Sequence, residues 1–377
     1  VAGGRLNDWR DSWVTAFRVP ARLNTKRFFL HFISPLFLNI IKIITYFTFL
    51  EKPEGCFLNL RFRGIIKHKE EKRMKRMKKI DAHTHLIGNI CGIGSKGELR
   101  PIGHGKAQYA SGDIIQLIPE EYGDTQLTPE TLVEVCRRHD VEKAVCLQGN
   151  YAGFQNLYTY EASLRYPQIL YPAATYDPFS YIKKRIIEHL FDELNIKIIK
   201  MEVSNGSGLM ANHDTVDLNG RVMHEVYQMA QDHGLVFVID IGRPGNNCYQ
   251  VDALAKVVQA YPQMKFVVCH LTAPQHNQME LLEKNLQQLN YPNVYFDIAS
   301  LPNNTKQPYP FTEAQSYVRR AMDILGKDKI LWGSDFPAAM NYCSYREAYA
   351  YLEDSKLFTQ EEKEHLFYHN ARLVFSL

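Results

Sequence analysis

Two histidines one residue apart, His83 and His85, close the run Ile80-Asp81-Ala82-His83-Thr84-His85. On an extended strand residues i and i+2 point to the same face, so this spacing aims both imidazoles at one point. A metal ion asks that of two neutral imidazoles. Later apolar runs also end in polar groups. His270 follows Lys265-Phe266-Val267-Val268-Cys269, and Asp335 follows Ile330-Leu331-Trp332-Gly333-Ser334. An aspartate beside a divalent cation keeps its charge and still exchanges a proton with water, so Asp335 is both a candidate ligand and a candidate proton shuttle.

Other strand ends supply further candidates. Lys200 and Glu202 stand at i and i+2, on one strand face, and either contact substrate or neutralise each other. Asp240 lies in Val238-Ile239-Asp240-Ile241-Gly242 and either ligates the metal or pairs with Arg243. Arg243 is the best candidate clamp for a substrate carboxylate, because a guanidinium fork binds carboxylates in two-point fashion. Gln148, Asn150 and Tyr151, and then Tyr176 and Asp177, line the same mouth by position.

The elements that must position these groups follow a βα rhythm. Apolar β-branched runs alternate with longer amphipathic stretches, as in a parallel sheet covered by helices. Strands are expected at Lys79–His83, Lys143–Gln148, Ile169–Thr175, Ile196–Val203, Val236–Ile241, Lys265–His270, Val294–Ala299 and Ile330–Gly333. Helices are expected at Thr128–His139, with Pro129 in its first turn, and at Asn219–His233, which Gly234 ends. Eight such units make an α/β fold, a (β/α)8 barrel, whose active sites gather strand-end residues from distant parts of the chain. One connection is unusually long. Leu86–Leu127 is rich in glycine and is expected to be a lid or substrate-binding loop, carrying Arg100, His104, Lys106 and Tyr109.

The set His83-Thr84-His85, Cys269-His270-Leu271, Asn293 to Ser300, Trp332 to Pro337 and Asn370-Ala371-Arg372-Leu373 resembles the amidohydrolase superfamily. The closer resemblance is to the amidohydrolase-related group with aminocarboxymuconate-semialdehyde decarboxylase-like enzymes. It covers about 300 residues, from Met77 to Leu377. The resemblance implies an enzyme with one divalent metal ion, zinc or manganese, held by His83, His85 and Asp335, with His270 polarising the substrate or orienting water. It implies a homo-oligomer as well. The family usually has a histidine where this chain has Asp240; a carboxylate ligand there would favour the harder Mn²⁺ over Zn²⁺. Lys200 occupies roughly the place of the carbamylated lysine of two-metal members. The implied reaction is hydrolysis of a small carboxylated or cyclic substrate. Non-oxidative decarboxylation of an aromatic or unsaturated acid is the alternative, and a non-catalytic or membrane-tethered binding barrel is the third reading.

Charge divides the chain. Residues 1–79 hold 18 Lys and Arg against 6 Asp and Glu, a net of +12, leaving 26 against 35 in the remainder, a net of −9. An acidic catalytic part argues against nucleic acid as a partner and leaves a small molecule. Seven scattered cysteines, without a C-x-x-C pair, suggest reduced thiols and a cytoplasmic location. Cys269, one residue before His270, is expected to face away from the barrel interior. Residues 1–76 read as a basic, apolar extension outside the barrel, residues 77–377. The first methionine is Met74, which suggests initiation there or at Met77. The apolar stretch Phe28–Leu50 suggests instead a membrane tether, although Lys42 interrupts it; a disordered or partner-binding extension is the remaining reading.

Overall fold

The computed structural model describes residues 77–377. The expectations placed on residues 1–76, late initiation and a tether at 28–50 included, lie outside the described residues. Among the described residues no helix is long and apolar enough to cross a membrane.

Among the described residues there are twelve strands. Eight are parallel and form the barrel: β1 (Lys79–Thr84), β6 (Val141–Cys146), β7 (Leu170–Pro172), β8 (Ile198–Glu202), β9 (Val236–Asp240), β10 (Phe266–Val268), β11 (Val294–Asp297) and β12 (Ile330–Leu331). They run as two sheets, β1-β6-β7 and β8-β9-β10-β11-β12. Parallel bridges at Thr84–Phe336 and Ala174–Ile199 join the sheets at both seams and close the ring. All eight expected strands are found, most of them trimmed at their ends; β1 runs one residue further, to Thr84, and β6 begins two residues earlier, at Val141.

Alternation sorts the strand residues into two layers. Ile80, Ala82, Val145, Leu147, Ile198, Val238, Val267 and Leu331 point inward and pack as one cluster. Ala371, Val374 and Phe375 of the C-terminal helix Asn370–Phe375 belong to that cluster and plug the mouth opposite the site. The outward layer, including Ile199, Phe237, Phe266 and Phe296, packs against the helices. The first of these helices, Pro129–Arg138, starts where Thr128 Oγ1 accepts the Thr131 N–H and buries Leu132, Val133 and Cys136. The second expected helix is Arg221–Asp232, followed by Gly234 at φ +63°.

The glycine-rich excursion is not a structureless loop. It folds into a four-stranded antiparallel sheet, β2 (Ile93–Gly94), β3 (Gly97–Gly103), β4 (Lys106–Tyr109) and β5 (Ile114–Gln116). Its glycines mark turns. Gly105 has φ +67°, and a Cβ there would fall 1.8 Å from the Ile118 carbonyl oxygen. The strands are two to seven residues long and largely solvated, so they lack the apolar alternation that would have announced them.

Candidate metal centre and active site

The site lies at the C-terminal ends of the barrel strands, where Asp335 and two histidine-bearing strand ends meet. Backbone hydrogen bonds fix the meeting of β1 and β12: Asp335 N–H donates to the His83 carbonyl at 2.9 Å. The buried Asp81 carboxylate reinforces it, accepting from Ser334 N at 2.9 Å, His83 N at 3.2 Å and the Tyr345 hydroxyl at 2.7 Å. Burial pushes the Asp81 pKa up to about 6 despite these donors. Gly333 permits the close approach, since a Cβ on it would stand 2.7 Å from His83 Cβ.

Two catalytic candidates adopt left-handed backbone. Asp335 has φ +59°, and His270 opens a run of four left-handed residues through Ala273, with φ of 58°, 52°, 62° and 53°. This turn corrects one expectation. Cys269 points into the barrel, among the inward cluster, and so does His270 after it, because the turn breaks the strand's alternation between them.

Each of the three site histidines has its Nδ1 bound to an oxygen that can only accept, and must donate there. His83 Nδ1–H donates to Asp297 Oδ2 at 3.1 Å, and His85 Nδ1–H to the Leu147 carbonyl at 3.1 Å. His270 Nδ1–H donates to the Ala299 carbonyl at 2.9 Å. The three Nε2 atoms therefore face the cavity, and each faces a carboxylate. His83 and His85 Nε2 lie 3.6 and 3.3 Å from the same oxygen, Asp335 Oδ1. His270 Nε2 lies 3.5 Å from Asp240 Oδ2.

A lone pair on Nε2 facing a carboxylate oxygen is repulsive unless a cation stands between them. The two clusters meet this demand differently. Burial lowers the His270 pKa, but Asp240, then Asp297 and Asp335, more than offset this and raise it to about 10. The cation there is a proton. Burial holds His83 below its ordinary value, more strongly than Asp297 and Asp335 raise it, so His83 is neutral. Its Nε2, His85 Nε2 and Asp335 Oδ1 have the geometry for a metal ion. Their donor atoms lie within 4.8 Å of one another. Two ligands at the usual zinc distances span an edge of about 3.4 Å in a tetrahedron, and the observed 3.3 and 3.6 Å match it. Two imidazoles and one carboxylate, with a position left open, are a donor set of catalytic zinc sites. Burial would raise the Asp335 carboxyl, but without a metal a hydrogen bond from His85 and the charge of His270 hold it well below the usual carboxylate range. The Ser300 hydroxyl donates to its other oxygen.

Of the remaining expected site residues, Lys200, Glu202 and Asp240 join the cluster's cavity, and Arg100 and Tyr176 do not. The cavity, about 130 Å³, is floored by His83, His85, Asp335, His270, Asp240, Lys200 and Glu202, and walled by Leu86, Ile87 and Leu117. Asp240 stands outside the trio and pairs with His270, not with Arg243. Burial raises its carboxyl, but the hydrogen bond and charge of His270, and then Lys200, hold it well below the usual range. Lys200 Nζ donates to the Gln148 carbonyl at 3.0 Å. Burial disfavours its charge, but Glu202, Asp240 and Asp335 outweigh this, so its pKa is raised. Glu202 makes no direct bridge to it. Its Oε1 accepts from Ser204 and Ser207 Oγ at 2.8 Å each, and its Oε2 from Asn150 N–H at 3.1 Å. Gln148 and Tyr151 also line the cavity.

Arg100 lies exposed on β3, away from the cavity, because the excursion folds into its own sheet. Tyr176 is 2% exposed within the apolar layer, because its side chain turns outward from the barrel. Arg243 lines an adjoining cavity. Asp297 is the group that strand-end reasoning passed over, although it ends the apolar run Val294-Tyr295-Phe296 as the other candidates end theirs.

Fold and site together define a (β/α)8 barrel enzyme whose candidate site residues gather at the strand ends. The chain matches the amidohydrolase family over residues 80–377 and belongs to that family of enzymes, which act on small molecules. No curated protein matches the chain. Among solved structures it is similar to a probable 2-pyrone-4,6-dicarboxylic acid hydrolase of Acinetobacter baumannii with citric acid bound, at 15% identity and a TM-score of 0.59, over 80% of this chain and 100% of that one. An amidohydrolase of Burkholderia multivorans with bound zinc is similar at 14% identity and a TM-score of 0.57, over 80% and 99%. Amidohydrolase 2 of Bifidobacterium longum subsp. infantis follows at 16% and 0.51, over 80% and 99%. Likeness at this level of identity establishes the fold.

Proposed function

We propose that this enzyme is a zinc-dependent hydrolase of a small carboxylated or cyclic substrate, a lactone or an amide. The observation that carries the reading is the pair of Nε2 atoms, on His83 and His85, facing one oxygen of Asp335 with both Nδ1 atoms already donating. A zinc ion held by these three groups supplies Lewis-acid activation of water and of the scissile carbonyl. Manganese would want a more oxygen-rich set, and Asp240, the carboxylate that would supply it, is engaged with His270.

The chain's own groups divide the remaining work. Asp335 is ionised, takes the proton of the attacking water and delivers it to the leaving group. His270, kept protonated by Asp240, stabilises negative charge developing on the carbonyl oxygen. Lys200 has one acceptor among the described residues, the Gln148 carbonyl, and its other N–H groups serve a substrate oxygen. Leu86, Ile87 and Leu117 exclude bulk water and strengthen these interactions. Decarboxylation in the same site would use His270 as the acid that protonates carbon.

The test is a lactone and amide screen on the full chain, with 2-pyrone-4,6-dicarboxylic acid first, beside elemental analysis. The expected result is one zinc per chain, lost in His83→Ala, and hydrolysis lost on chelation and restored by zinc. A parent protein that binds no metal sinks the reading. Release of carbon dioxide without ring opening or amide cleavage reassigns the site to decarboxylation.

A further inference from the structure

We propose that Ser300 is a positioning residue for Asp335. Its hydroxyl holds one carboxylate oxygen away from the histidines, so that Asp335 offers a divalent metal ion a single oxygen and leaves a coordination position open. The inference rests on the metal-dependent reading above and deepens it.

Backbone contacts fix where Asp335 stands but not how its carboxylate is turned. Its N–H donates to the His83 carbonyl at 2.9 Å, and its carbonyl accepts the Ala339 N–H at 3.1 Å. The torsion that turns an aspartate carboxylate is broad and roughly two-fold, so these contacts leave open whether one oxygen or both face the imidazoles. One does. Oδ1 lies 3.6 Å from His83 Nε2 and 3.3 Å from His85 Nε2. Oδ2 accepts the hydroxyl proton of Ser300, and among the described residues no other hydrogen bond reaches that oxygen. Without this donor Oδ2 is free to swing toward the ion. A second oxygen from the same carboxylate would then fill the position that catalytic zinc sites keep for water.

Ser300 forgoes two easier arrangements to make this bond. It is the N-cap of the short helix Leu301–Thr305, where a serine hydroxyl ordinarily accepts a backbone N–H of the first turn, and here it accepts none. Its backbone is left-handed, with φ 59° and ψ 7°, a conformation that glycine or asparagine takes more readily. Its neighbours hold it there. The Ala299 carbonyl accepts the His270 Nδ1–H at 2.9 Å, and the Ala299 N–H donates to Asp297 Oδ1 at 3.1 Å. The Ser300 carbonyl accepts the Asn304 N–H at 2.9 Å. The serine that turns Asp335 is thus anchored through the aspartate that orients His83.

The test is visible spectroscopy of the full chain loaded with cobalt(II), for the parent, Ser300→Ala and Ser300→Gly. Four-coordinate cobalt(II) absorbs far more strongly in the visible range than five- or six-coordinate cobalt(II). The parent is expected to show the intense four-coordinate bands, and both variants to lose most of that intensity at equal cobalt content. Azide, a small anion that enters an open position, should shift the parent's spectrum and leave those of the variants almost unchanged. Glycine relieves the left-handed backbone while removing the hydroxyl, so Ser300→Gly decides the matter should Ser300→Ala fail to fold. Variants with the parent's spectrum and azide response overturn the proposal, as does a parent that already absorbs weakly. A loss confined to Ser300→Ala overturns it as well, because it assigns the effect to the backbone. A parent chain that takes up no cobalt overturns the metal reading, and this inference with it.

Discussion

Asp297 holds His83 from behind: its Oδ2 accepts the His83 Nδ1–H at 3.1 Å, with both side chains buried. The same carboxylate accepts the His270 backbone N–H at 2.9 Å through Oδ1. One aspartate thus fixes the tautomer of the His83 imidazole and anchors the start of the left-handed turn that presents His270. Burial would raise its carboxyl, but His83 and His270 hold it below the ordinary value, so it stays ionised for this task.

Removing that support should loosen the metal. Asp297→Ala is expected to weaken zinc binding by about 10–100-fold, the range for partners of metal-bound histidines. Competition with a chromophoric chelator measures it. Zinc affinity equal to the parent's would show that His83 does not need Asp297.

Gly333 sets the distance between β1 and the end of β12. A methyl group there meets His83 Cβ at 2.7 Å and His83 N at 3.1 Å, both on a buried strand that cannot readily move. Gly333→Ala should destabilise the fold by about 1–3 kcal/mol as overpacking does and reduce zinc content. Urea denaturation and elemental analysis of the same sample read both. A stable, fully loaded variant would mean that the strands separate without disturbing the ligands.

The Tyr345 hydroxyl, donating to Asp81 at 2.7 Å, is one of three donors on a fully buried carboxylate. Tyr345→Phe leaves that oxygen of Asp81 without its donor, at a cost of about 1–3 kcal/mol. The measurement is the urea midpoint at neutral pH. The loss should shrink toward pH 5, where Asp81, with its pKa already about 6, becomes protonated.

The metal-free enzyme should show a defined pH dependence of stability. The His270 pKa is raised from 6.5 to about 10, so the folded state binds its proton more tightly than the unfolded state does. The stabilisation is fully present below pH 6.5 and is lost as pH rises through about 10. Asp335 is depressed from 3.8, so its contribution is present above that pH and is lost in acid. Thermal midpoints should be highest between these limits. Asp240→Asn should flatten the alkaline limb, since His270 loses its main partner; an unchanged limb would assign the dependence to other groups.

Much of this molecule was legible in its residues. The eight barrel strands were readable because β-branched apolar runs alternate with amphipathic stretches, and parallel strands buried on both faces leave that signature. His83, His85, His270 and Asp335 were readable because strand ends carry chemistry in this architecture. The four small strands between Ile93 and Gln116 were not, since they bury too little apolar surface to impose a period.

The sequence by itself determined the barrel and the four polar groups at its rim, because periodicity and i, i+2 spacing are local properties of the chain. Only the tertiary structure decided their partners. His83 and Asp297 are 214 residues apart, and no local pattern records that one orients the other. Asp240 could be read as a metal ligand or as a partner of Arg243; folding set it opposite His270, because the left-handed turn after Cys269 brings that imidazole over the barrel mouth. Arg100 and Tyr176 stood near the site in sequence, and a separate sheet and an outward-facing side chain took them out of it. Spacing along a strand fixes direction within one element, whereas distance between elements is set by the closure of the whole ring.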